Sequence, residues 1–101
     1  MNQAKALSEF LKEKRTLSGL SQKDVAEKLG YSSAQFISNW ERGHSSPPIH
    51  TLRKLAELYE VNVDEMFDVI LESALDQVRM DLHNKFYNRY QAESNDKSKD
   101  I

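Results

Sequence analysis

Two stretches decide the fold of this chain: Gly19-Leu20-Ser21-Gln22-Lys23-Asp24-Val25-Ala26-Glu27-Lys28-Leu29-Gly30 and, shortly after it, Ser33-Ala34-Gln35-Phe36-Ile37-Ser38-Asn39-Trp40-Glu41-Arg42-Gly43. In the first, Ser21 is placed to cap a helix, and Asp24 three residues on makes an acidic near-version of the capping box. Val25, Ala26 and Leu29 share one helical face, and Gly30 supplies the left-handed residue that stops the helix. In the second, Ser33 is the expected cap of a helix from Ala34 to about Arg42, with Ile37 and Trp40 turned to a core and Gly43 at its end. Two short helices joined by a glycine turn can lay the first across a DNA backbone and the second in the major groove.

Helical spacing continues on both sides. Leu7, Phe10, Leu11 and Leu17 predict a first helix over about 4 to 17, ended by Gly19. His44-Ser45-Ser46-Pro47-Pro48 reads as a loop, with Pro48 in or next to the first turn of a fourth helix over about 49 to 59. Leu52, Leu55, Ala56 and Tyr59 mark its inner face. Asn62 is expected to cap a fifth helix, with Glu65 reaching back, and no Gly or Pro stops that helix from about 64 to 90. The expectation is an all-α chain. Residues 1–70 are expected to form a compact five-helix helix-turn-helix domain, 71–93 an extended C-terminal helix, and 94–101 a polar, disordered tail.

Composition narrows the function. The 101 residues suffice for one modest core, and scarce Gly and Pro favour helices. With no cysteine, disulfides and thiolate zinc sites are excluded. His44, His50 and His83 lack ligand spacing, so no metal and no cofactor is expected. No nucleophile–base arrangement or Gly-rich phosphate loop suggests an enzyme. No apolar run approaches the ~20 residues of a membrane span, and the opening residues do not read as a secretory signal. A soluble, cytoplasmic protein without membrane association is the expectation. The net charge of −2 argues against indiscriminate binding to nucleic acid. Residues 1–60 nevertheless hold nine Lys/Arg against seven Asp/Glu, and residues 61–101 five against nine. The basic balance lies with the expected reading helix, so affinity should come from a few placed cations and helix ends.

From about Lys5 to Ile70 the chain resembles the phage repressor/Cro-type (XRE-like) helix-turn-helix family. The resemblance rests on Leu17-Ser18-Gly19-Leu20-Ser21-Gln22, Val25-Ala26, Leu29-Gly30, Ile37 to Gly43, Pro47-Pro48 and Leu52-Arg53-Lys54-Leu55-Ala56. It implies base contacts from Ala34, Gln35, Ser38 and Asn39. The chemistry agrees, since Gln and Asn can pair with adenine and an Ala methyl can meet that of thymine. It implies phosphate contacts from Gln22, Ser33, Arg42, His44, Ser45, Ser46 and Arg53, by amide, hydroxyl and cation. It also implies a structural ion pair of Arg15 and Glu41, tying the first helix to the third. Against the family's usual spacing there is one extra residue between Gly30 and Trp40, most simply at Tyr31-Ser32.

Beyond the compact domain, Ile70, Leu71, Ala74, Leu75, Val78, Leu82, Phe86 and Tyr90 form an apolar stripe. One small core cannot cover so long a helix, so the stripe should meet another copy or a different protein. A homodimer would read a pseudo-palindromic operator on double-stranded DNA, with half-sites about one helical turn apart. The alternative is an interaction module, such as an antitoxin whose C-terminal helix binds a partner protein. Asp64, Asp68, Glu72 and Asp76 form an acidic row, read chiefly as a solvated face.

Overall fold

A computed structural model describes the backbone of residues 6–100 and the side chains of residues 6–88. Among these residues the chain is all-α: α1 (Leu7–Leu17), α2 (Gln22–Leu29), α3 (Gln35–Glu41), α4 (Ile49–Leu58) and α5 (Val63–Asp100). The expected start of the first helix before residue 6 lies outside the described residues.

Local signals set most boundaries. The Ser21 hydroxyl accepts from the Asp24 N–H at 2.9 Å, and the Asp24 carboxylate accepts from the Ser21 N–H at 2.9 Å, so the capping box at the start of α2 is complete. Gly30 ends α2 at φ +86°, which lets the Tyr31 N–H turn back to the Ala26 carbonyl at 2.8 Å. A side chain at Gly30 would be strained by that φ. At α5 the Asn62 side chain accepts from the N–H groups of Asp64 (2.8 Å) and Glu65 (3.3 Å).

Four expectations are corrected. The α3 helix begins at Gln35, and Ala34 occupies the cap position without a side-chain bond. Ser33 sits one residue further out, where its hydroxyl accepts from the Gln35 N–H at 3.3 Å. Leu17 repeats the face of Phe10 but is the last residue of α1, beyond the packed layer, and is 74% exposed. Glu65 places its carboxylate 3.8 Å from Lys14 Nζ rather than back at Asn62. The α5 helix carries bounds of Val63–Asp100 rather than 64 to 90. The expected disordered tail, 94–101, falls outside the residues whose side chains are described.

The core joins Leu7, Phe10 and Leu11 of α1, Val25 and Ala26 of α2, Ile37 and Trp40 of α3, Leu52, Leu55 and Ala56 of α4, and Met66 of α5, with Tyr59 and Val61 between the last two helices. The α3 helix packs against both α1 and α2, and α5 against α1 and α4. The second and third helices are thus held as one unit by a core that the other three complete.

Hydrogen bonds from Ser21 hold the Asp24 carboxyl below the usual carboxylate range. A depressed folded-state pKa means stability present at neutral pH and lost as pH falls through that range. Asp24→Asn should therefore flatten the acid limb of the melting temperature, measured by circular dichroism from neutral pH downward.

Candidate nucleic-acid interface

Ile37 and Trp40 bury one side of α3, and the Glu41 side chain, 3% exposed, lies beside them. At about 100° per residue this leaves Gln35, Ser38, Asn39 and Arg42 on the opposite side. Gln35 and Arg42 are exposed, and Ser38 and Asn39 half-buried. The Gln35 amide donates from Nε2 to Asn39 Oδ1 at 3.0 Å, one turn along the helix. The Gln35 carbonyl and the Asn39 amino group stay available, so the pair presents an acceptor and a donor in fixed relation. Ala34 is half-buried and packs partly on the core, which covers some of its methyl.

Glu41 anchors α3 from behind. Its carboxylate accepts from Arg15 Nε at 2.6 Å and from Nη2 at 3.0 Å, a two-pronged geometry. Arg15 Nη1 donates further to the Leu20 carbonyl at 2.8 Å, in the turn before α2. The hydrogen bond to Glu41 raises the Arg15 pKa above its ordinary value, so the guanidinium stays charged. Tyr59 is also close: burial first, and the Glu41 charge second, push its phenol up.

Gln22 brings an unexpected partner. Its Nε2 donates to Glu41 Oε1 at 3.0 Å, so the first turn of α2 joins the same network. Among the described residues its carbonyl oxygen and second amide proton have no bond, and it stands half-buried. Ser33, His44, Ser45, Ser46 and Arg53 are exposed on the flanking loops and on α4. The loop after α3 is fixed by the His44 N–H, which donates to the Asn39 carbonyl at 2.9 Å, and by buried Pro47.

Phe36, which the sequence did not single out, stands here in an aromatic group. The Tyr31 ring lies 4.9 Å from that of Phe36 and 5.9 Å from that of Trp40. Phe36 itself is 53% exposed on α3. Its position four residues before Trp40, just after an aromatic turn residue, was the available signal.

On α5, Ile70 packs partly on the domain's own core, whereas Leu71, Ala74, Leu75, Val78, Leu82 and Phe86 are exposed. Tyr90 lies outside the residues whose side chains are described. In the acidic row, Asp76 accepts from Arg79 at 2.6 Å. Among the described residues no group of His, Asp or Glu could hold a metal ion, and no helix is long and apolar enough to cross a membrane.

Comparison with known proteins finds similarity over the region that holds most of the five-helix core. The family model described as helix-turn-helix matches residues 11–66. Over 59 residues the chain is 42% identical to the HTH-type transcriptional regulator ImmR of Bacillus subtilis (strain 168), a match covering 58% of this chain and 46% of the relative. Over 59 residues it is 36% identical to the HTH-type transcriptional activator BcrR of Enterococcus faecalis, covering 58% of this chain and 28% of that relative. The matches span less than half the length of either relative.

Proposed function

We propose that this chain, which belongs to the helix-turn-helix family, is a cytoplasmic, sequence-specific transcriptional regulator that reads a pseudo-palindromic operator as a homodimer. The observation that carries the reading is the Gln35–Asn39 pair, 3.0 Å apart on the outward side of a helix held from behind by Arg15, Glu41 and Gln22. In the major groove, Gln35 and Asn39 would meet adenine edges, with Ser38 and the exposed part of Ala34 beside them. The free carbonyl and amide proton of Gln22, the exposed Arg42, His44, Ser45 and Ser46, and Ser33 and Arg53 at the margins would fix register on the phosphates. The role is binding rather than catalysis. Repression is the favoured outcome, because an occupied operator can exclude the polymerase without any further surface.

Selection of bound DNA from a random pool tests the reading. An enriched palindrome is expected, and Asn39→Ala should relax preference at its base position by about 1–3 kcal/mol while leaving the melting temperature nearly unchanged. Absence of any enrichment at low salt would sink the proposal. A second reading, the partner-binding module, draws on the exposed stripe of α5. It predicts a stable complex of defined stoichiometry that depends on residues 71–90 and survives Asn39→Ala.

A further inference from the structure

Phe36 is the second residue of α3, in the half of a reading helix that enters the groove most deeply. At 3.6 residues per turn it stands about 100° from Gln35 and about 60° from Asn39 around the axis. It therefore flanks the polar pair, between that pair and the buried Trp40. A single exposed Phe is ordinary on protein surfaces, but this ring is held in place. The Tyr31 ring packs on it at 4.9 Å and on Trp40 at 5.9 Å. Tyr31 is in turn fixed by its N–H bond to the Ala26 carbonyl at 2.8 Å. The longer turn before α3 thus supports an aromatic shelf beside the reading face. A half-exposed ring next to base-reading amides has one natural complement in the major groove, the 5-methyl group of thymine.

We propose that Phe36 is a specificity-determining residue, its ring packing on a thymine methyl next to the bases read by Gln35 and Asn39. The inference rests on the DNA-reading function and adds an apolar element to a recognition otherwise made by hydrogen bonds. Tyr31 acts through Phe36 as a positioning residue.

The test uses the full chain and the operator obtained by selection. Each thymine of a half-site is replaced in turn by deoxyuridine, which lacks only the methyl, and dissociation constants are measured for the wild type, Phe36→Ala and Phe36→Leu. The wild type should lose about fourfold per half-site at one thymine, the worth of one buried methyl group. Phe36→Ala should be indifferent at that thymine yet keep its dependence on Asn39, and Phe36→Leu should keep part of the effect. If Phe36→Ala shows every methyl sensitivity of the wild type, the ring only shields Trp40 and the inference is overturned. Should Phe36→Ala fail to fold, the wild type decides: indifference to every deoxyuridine overturns the inference, and sensitivity that weakens in Phe36→Leu supports it. A protein that selects no operator defeats the underlying function, a result distinct from either of these.

Discussion

Replacing Leu75 and Leu82 together with aspartate should leave the reading domain folded and lower operator affinity by about 10²–10⁴-fold, the usual gain from binding two linked sites at once. The two leucines are 40% and 62% exposed, so the domain's core loses little. What holds α5 to the domain lies on another face, at Met66 and Ile70. Leu71, Leu75, Val78, Leu82 and Phe86 follow one another at spacings of three and four and are 40–65% exposed. Residues 71–88 alone extend about 27 Å, and an isolated helix with an uncovered apolar stripe is marginal in water. A second copy would bury the stripe and fix the separation of two reading helices. Sedimentation should show the wild type as a dimer and the variant as a monomer whose reading domain still unfolds cooperatively, with the concentration dependence of the melting temperature lost. A variant that remains dimeric with full affinity would place the interface elsewhere, and a monomeric wild type in complex with an unlike protein would favour the partner-binding module.

Local chemistry made much of this architecture legible. Ser21 with Asp24, Gly30 and Asn62 announce helix ends because their capping bonds span only a few residues. Leu52, Leu55 and Ala56 announce α4 because one buried face dictates their spacing. Helical period alone failed at Leu17, because whether a face is covered depends on where the neighbouring helices stop. The expected cap at Ser33 also misplaced the start of α3 by one residue, because its hydroxyl meets the Gln35 N–H from one position before the cap. Within the candidate interface, Gln35 and Asn39, like Arg15 with Glu41, could be picked out by resemblance. The bond from Gln22 to Glu41 and the Tyr31–Phe36 contact could not. Each joins segments whose approach is set by the packing of α1, α2 and α3 together, which no short window of sequence contains.

The buried carboxylate of Glu41 makes a second large effect. Arg15→Ala should lower stability by about 3–5 kcal/mol, the cost of leaving one member of a buried pair without its partner. In a domain of this size that corresponds to roughly 12–40 °C in melting temperature, out of a total stability on the order of 5–15 kcal/mol. The Glu41 side chain is 3% exposed, against 13% for Arg15, so water cannot replace the guanidinium, and Gln22 alone would remain to donate to the carboxylate. The pair itself need contribute little net stability, because both charges lose hydration. Arg15→Met with Glu41→Leu should therefore recover most of the loss, whereas Arg15→Lys should not, a single ammonium being unable to reproduce two bonds to Glu41 and one to Leu20. Thermal denaturation of the three variants separates these outcomes, and a melting temperature unchanged in Arg15→Ala would remove the pair from the fold's energetics. DNA binding supplies the second readout. The network meets α3 from the side opposite Gln35 and Asn39, so the apolar double variant should select the same operator bases as the wild type. Any weakening in it should be uniform across sequences, because α3 would be less firmly aimed while its reading groups stayed the same.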